Sequence, residues 1–269
     1  MGRFLPVAFD PKSATIAIIA GRGEYPLLLA QRVKARGINC RLIALEGEAS
    51  EELQALFSKS EQAKANVGQL GKVLRLLKSF RATDVLMAGQ IRPMRLFHGL
   101  KLDLLSFRLL QKLKERNAQT LFSTVCEQIE ASGIRVLDAR SFMEEDLVVR
   151  AKKFPVDRDA LEHGIRIATE VARLEIGQSV IVKNGTVLCV EGFDGTDAML
   201  RRAKELKLEG MLFVKTSKVR HDFRFDVPIF GMTTLRLLRE ANIRAAALKS
   251  GETIILRQKE VLSQAKKMG

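Results

Sequence analysis

The chain has no tryptophan, one tyrosine and three cysteines in 269 residues. With aromatics at 6%, it is short of the rings on which proteins stack unpaired bases. No RNA- or DNA-binding motif replaces them, so no nucleic acid partner is expected. Cys40, Cys126 and Cys189 are odd in number, far apart and set in or beside apolar segments. That pattern argues against a disulfide framework and for buried free thiols in a reducing compartment. No Cys/His spacing suits structural zinc. No apolar run approaches the 18 residues of a membrane span, and the run from Ile16 to Gly21 is too short for a secretory leader. A cytoplasmic protein is expected, with peripheral membrane contact left open.

What is present is an apolar fraction of 46%, carried by Leu, Ile, Val and Ala, which suits an α/β core. The 45 basic residues outnumber the 31 acidic ones, giving a net charge of +14. Such an excess attracts phosphates, whether of a substrate or of an anionic membrane; it also serves plain solubility. The densest charge lies between Val214 and Gly231, after an apolar strand from Gly210 to Val214. There Lys215, Lys218, Arg220, His221, Asp222, Arg224 and Asp226 precede Pro228 and Gly231. Charge delivered by a strand end is where α/β proteins keep their chemistry. An extended segment would project Asp222, Arg224 and Asp226 to one side and Phe223 and Phe225 to the other. The plain alternative is an amphipathic strand with solvated charges.

Strand, glycine turn and helix recur along the first half. Thr15 to Ala20 runs into Gly21-Arg22-Gly23-Glu24-Tyr25-Pro26, and Pro26 opens a helix to about Arg36. Glycines before a helix let its amides face an anion, but Pro26 fills the third-glycine slot of a dinucleotide fingerprint. Glu46, after the strand Arg41–Leu45, imitates a ribose-binding acid. Gly68 and Gly71-Lys72 open another helix, and the strand Asp84–Ala88 ends in Gly89-Gln90-Ile91-Arg92-Pro93. A parallel sheet follows, with Gly21, Gly23, Gly89, Gln90 and Arg92 bordering one crevice as substrate contacts; simple tight turns are the alternative. The Leu-rich basic segment Met94–Asn117, with His98, Lys101, Arg108, Lys112 and Lys114, reads as one amphipathic helix. It is either core-facing with a solvated basic side or interfacial. A first domain at 1–145 and a second at 146–269 are expected, the latter starting near a basic patch at Arg150, Lys152, Lys153 and Pro155.

The second half opens with a helix from Asp157 to Leu174. Asn184-Gly185 then joins two strands in a hairpin. Gly195-Thr196-Asp197 opens a further helix, with Thr196 as expected N-cap beside a phosphate and Asp197 as either metal ligand or helix-dipole partner.

Six elements stand together in order: Gly21-x-Gly23-x-x-Pro26, Gly68-x-x-Gly71-Lys72, Gly89-x-x-x-Pro93, Ile176-Gly177-Gln178, Glu191-Gly192-x-x-Gly195-Thr196-Asp197-Ala198-Met199 and Arg224-Phe225-Asp226-Val227-Pro228. From residue 15 onward the chain resembles the LpxI-type UDP-2,3-diacylglucosamine diphosphatases of lipid A synthesis. The resemblance implies a Rossmann-like N-terminal domain with a parallel sheet, a distinct α/β C-terminal domain, and substrate held between them. It further implies water attack at the sugar-side phosphorus, yielding UMP and lipid X, with Mg²⁺ and a homodimer at the anionic inner-membrane surface. The family's key carboxylate falls on Asp226, as general base or Mg²⁺ ligand. Arg224, Lys215 and Asp222 join it as catalytic candidates, Gln178, Gly195, Thr196 and Lys218 as substrate contacts, and Asp197 as a second metal candidate. Two departures stand out. Val219-Arg220-His221-Asp222 replaces the family's usual Pro-Gly-Gln-Asp, and Ala118-Gln119 replaces an Asp pair, so an altered metal site or a different nucleotide-sugar substrate is an open expectation. A nucleotide-dependent oxidoreductase is the alternative class.

Overall fold

The computed structural model describes residues 2–92, 101–113, 117–148, 156–218 and 221–269. The chain divides into two compact units. The first is Met1–Glu144 with Asp222–Asp226; the second is Glu145–His221 with Val227–Gly269.

The first unit is built on β1 (Thr15–Ala20), a fully buried run whose β-branched residues suit a strand covered on both faces. It pairs in parallel with β2 (Asn39–Leu45) and β4 (Asp84–Ala88). β3 (Gln62–Ala65) and β5 (Arg135–Val136) complete a five-stranded parallel sheet of order β3-β2-β1-β4-β5. Helices α1 (Tyr25–Ala35), α2 (Glu51–Ala55), α3 (Leu70–Ser79), α4 (Leu104–Lys112) and α5 (Ala118–Ala131) accompany it. At the β4 start, the fully buried Asp84 accepts from Arg135 Nε at 2.8 Å and from Thr83 Oγ1 at 2.7 Å, so its charge is matched. Ahead of β1, Phe9 is buried and meets Phe142 edge-on.

The second unit starts with α6 (Arg158–Arg173), capped by Asp157, whose side chain accepts from the Asp159 amide. Its Gly164 lets the helix lie on the sheet, since a Cβ there would stand 2.7 Å from Val214 Cγ2. β6 (Ser179–Lys183) and β7 (Thr186–Val190) form the expected hairpin; Asn184 (φ 46°) and Gly185 (φ 75°) supply its turn. α7 (Gly195–Glu205) leads to β8 (Leu212–Lys215), antiparallel to β6. β9 (Ile229–Phe230), α8 (Met232–Glu240), β10 (Ala245–Leu248), β11 (Ile254–Ile255) and α9 (Gln258–Met268) follow. The mixed sheet runs β10-β8-β6-β7, beside a two-stranded parallel pair β11-β9. The molecule is thus an α/β protein with a parallel N-terminal sheet and a separate mixed C-terminal sheet.

Three local expectations change. The single helix from Met94 fails at 101–103: α4 starts at Leu104 because the Asp103 carboxylate caps it, accepting from the Ser106 amide at 2.9 Å. His98, Pro93, Lys114 and the 150–155 basic patch lie outside the described residues, as does Val219-Arg220. Thr196 is not the N-cap of α7; Asp194 takes that place, and the Thr196 hydroxyl is drawn to a carboxylate instead. Asp222–Asp226 is a turn, not an extended strand. The Asp222 carboxylate accepts from the Arg224 amide at 3.1 Å, and the Asp226 amide reaches the Asp222 carbonyl at 3.3 Å.

Candidate functional site

In the first unit the glycine turns at the sheet's carboxyl edge grip each other. Arg22 donates its amide to Gln90 O at 2.7 Å, Gln90 returns one to Arg22 O at 3.0 Å, and the Gly21 amide bonds Ala88 O at 2.8 Å. A Cβ on Gly21 would stand 2.4 Å from Gln90 O. These glycines therefore serve close approach of chain to chain, and the Gly21 and Arg22 amides are already engaged. Gly23, at φ 102°, has open space around it. Gly89→Ala should be costly. The residue adopts φ 88°, and its Cβ would lie 2.6 Å from Arg22 O and 2.7 Å from Pro26 Cγ. A loss of about 3 kcal/mol is expected in urea unfolding of the first unit.

The five residues Asp222–Asp226 are anchored in this unit on several sides. Phe225 stacks on Phe122 at 5.6 Å and packs against the core beneath the sheet. Phe223 lies under Arg140, 3.5 Å from guanidinium to ring centroid, and its carbonyl accepts the Ala139 amide at 2.7 Å. Arg224 chelates Asp222, with Nη2 2.7 Å from Oδ2, and extends Nη1 to Glu130 at 2.8 Å. The bond to Asp222 holds the guanidinium's pKa above its ordinary value. Asp222 is thereby occupied in positioning Arg224. Half-buried Asp226 sits at the end of this anchored turn. Phe225→Ala is expected to cost about 2–3 kcal/mol, read as a lowered urea midpoint of the first unit, because it removes both the stacking pair and a core contact.

The second unit gathers a polar cluster that sequence reasoning only half found. Lys215, the last residue of β8, is 6% exposed at its side chain and lies 3.0 Å from Thr196 Oγ1 and 3.5 Å from Glu191 Oε2. Thr196 donates to Glu191 Oε1 at 2.8 Å, and Ser179 donates to Glu191 Oε2. Gly177 makes the closeness possible, since a Cβ there would meet Glu191 O at 2.2 Å. Glu191 is the residue that was missed. Its signal lay inside the Glu191-Gly192 motif, but a carboxylate after a hairpin strand gives no sign in sequence of the lysine opposite. Burial alone would push its carboxyl up, yet the Lys215 charge and the bonds from Ser179 and Thr196 outweigh that and hold it below the ordinary 4.5. A depressed folded value contributes stability that is full above the unfolded value and lost as pH falls through the folded one. The second unit should therefore weaken below about pH 4.5. Glu191→Gln should flatten that acid limb, checked by comparing urea midpoints at pH 7 and pH 3.5.

The remaining predicted residues are dispersed within their units. Lys218 pairs with Glu175 at 2.9 Å, and the Gln178 carbonyl accepts the Thr216 amide. Arg92 is exposed, its Nε 4.0 Å from the buried Glu48 carboxylate. Gly195 holds φ 82° as the first residue of α7, with open space at its Cβ position. Asp197 is half-buried in the same first turn. Among the described residues no three Asp, Glu, His or Cys side chains converge as a metal site. A Mg²⁺ held by one or two carboxylates, with phosphate oxygens and water completing its shell, remains compatible with these residues. A cage made by the protein alone is not.

One apolar cavity of about 160 Å³ lies in the first unit, on the sheet face toward the carboxyl ends of β1, β2 and β4. Ile19, Leu45 and Met87 form its floor, and Leu109, Leu110 and Leu113 of the α4 segment form one wall. Bounded by apolar side chains among the described residues, it is suited to hydrocarbon.

Residues 15–146 match the LpxI N-terminal domain and residues 144–269 the LpxI C-terminal domain. The chain is also 27% identical over 271 residues to the UDP-2,3-diacylglucosamine pyrophosphatase LpxI of Caulobacter vibrioides, covering 94% of this chain and 95% of that protein. With both domains matched in order around the geometry above, the chain belongs to the LpxI family.

Proposed function

We propose that this protein hydrolyses the pyrophosphate bond of UDP-2,3-diacylglucosamine, giving UMP and 2,3-diacylglucosamine 1-phosphate. The observation that carries the reading is the apolar cavity at the carboxyl edge of the first sheet, a site for an acyl chain that a soluble nucleotide sugar would not need. The curated relative's name supports the same substrate. In the reaction the oxygen of a water molecule forms a bond to one phosphorus, the bridging P–O bond breaks, and the leaving phosphate takes the electron pair. Asp226 is the base that accepts the water's proton. Lys215 and Arg224 are cations for the charge that grows on phosphate oxygens, Arg224 oriented by Asp222 and Lys215 by Glu191. The carboxylate that would hold Mg²⁺, which when bound would neutralise phosphate charge, is Asp197 of the second unit or, in place of its role as base, Asp226 of the first. Thr196, Gly195, Gln178, Lys218, Gly23 and Arg92 are the proposed substrate contacts.

Incubating purified protein with Mg²⁺ and UDP-2,3-diacylglucosamine should release UMP, while UDP-N-acetylglucosamine, which lacks both long chains, should be turned over at least a hundredfold more slowly. Equal rates on the two would overturn the acylated substrate, and no UMP from either would overturn the activity. A nicotinamide-dependent reaction has weaker support. Pro26 stands in place of the third fingerprint glycine, and the Gly21 and Arg22 amides are engaged with backbone carbonyls. Self-association as a homodimer is part of the proposal and is checked by light scattering.

A further inference from the structure

The α4 segment carries apolar side chains on two faces, and only one of them is covered by the described residues. Its inner face is tightly fixed. Ser106 is buried, accepts the Leu70 amide at 3.1 Å and donates to Asp103 at 2.8 Å, while Asp103 also accepts the Lys72 amide at 3.1 Å. Leu109, Leu110 and Leu113 turn toward the cavity. The outer face, at positions 104, 107, 108 and 111, follows one helical stripe and is exposed throughout. On it stand Leu104 at 65% and Phe107 at 48% exposure, next to Leu102 at 39%. Single exposed apolar residues are ordinary, but three adjoining ones on a pinned segment are not.

Charge identifies what covers them. Lys101, Arg108 and Lys112 are exposed among these apolar groups, and the segment's one acid, Asp103, is committed to its cap. Leucine and phenylalanine interleaved with cations match the boundary between acyl chains and anionic headgroups. An acidic protein partner would satisfy the cations but gives no reason for the same segment to border a hydrocarbon-sized cavity. Leu102 belongs to both features, exposed on one side and lining the cavity on the other.

We infer that the outer face of α4, through Leu104, Phe107, Lys101, Arg108 and Lys112, docks on the surface of an anionic phospholipid bilayer. The docking places the cavity mouth against the lipid. This purpose rests on the proposed acylated substrate, whereas the docking itself is read without any substrate, so the two can fail separately.

The lack of tryptophan makes the test direct. Phe107→Trp introduces the sole indole of the full chain, and Leu262→Trp on the exposed face of α9 is the control. With vesicles of phosphatidylethanolamine and phosphatidylglycerol, Phe107→Trp emission should shift to the blue and be quenched by brominated acyl chains. Leu262→Trp should do neither. In co-sedimentation, Leu104→Ser with Phe107→Ser should weaken vesicle binding at least tenfold with unchanged circular dichroism. Arg108→Glu with Lys112→Glu should weaken it by more than about twentyfold, at roughly fivefold per lost cation. Vesicle binding without a shift in Phe107→Trp would place the contact elsewhere and overturn the assignment. So would absence of binding, or equal binding by the Leu104→Ser, Phe107→Ser variant.

Discussion

Asp226→Ala should lower UMP release by about three orders of magnitude while leaving both units folded, the range expected for loss of a positioned general base. The fold should tolerate it because the turn that carries Asp226 is held by other groups. Phe225 on Phe122, Phe223 beneath Arg140 and the Arg224–Asp222 chelate all remain when the carboxylate is removed. Asp226 itself is half-buried and stands outside the apolar core. Asp226→Asn separates two roles the same residue has in view. A base is lost whatever the Mg²⁺ concentration, so kcat stays low at saturating metal. A ligand is only weakened, so raised Mg²⁺ would restore activity. Full activity in Asp226→Ala would remove the mechanism altogether.

The parallel first sheet and the second-half hairpin were legible in the sequence because their signals are local. A six-residue apolar run, glycine directly after β1 and β4, and an Asn-Gly turn declare a parallel sheet and a hairpin with no knowledge of the rest of the chain. The charged stretch after β8 was equally visible as charge. Its shape was not: alternation of Asp222, Arg224 and Asp226 reads as an extended segment, and the Asx bond from Asp222 to the Arg224 amide folds it into a turn. The glycines at 21 and 89 announced close approach but not of what, and the partner is the neighbouring turn. Glu191 was hidden for a different reason. A buried carboxylate is explained only by its partners, and Lys215 lies 24 positions away on a strand paired through β6. Pairing across a sheet is long-range information that a single chain's pattern does not carry.

Lys215→Met should do two separable things. Activity should fall about 10²- to 10³-fold, as when one preorganised donor to a developing phosphate charge is removed. The second unit should also lose on the order of 3–5 kcal/mol, because Glu191 is left as an unpaired charge in a site where it and Lys215 are 12% and 6% exposed. Ser179 and Thr196 would still donate to it, so the lower part of that range is the expected value. Adding Glu191→Gln tests the division. The neutral amide no longer needs a cation, so Lys215→Met with Glu191→Gln should recover most of the lost stability in urea unfolding and none of the lost turnover. Glu191→Gln alone leaves Lys215 in place but without the carboxylate that directs it, and should cost less in kcat than Lys215→Met. If the double variant regained activity along with stability, Lys215 would be a structural residue only, and the catalytic cation would have to be Arg224.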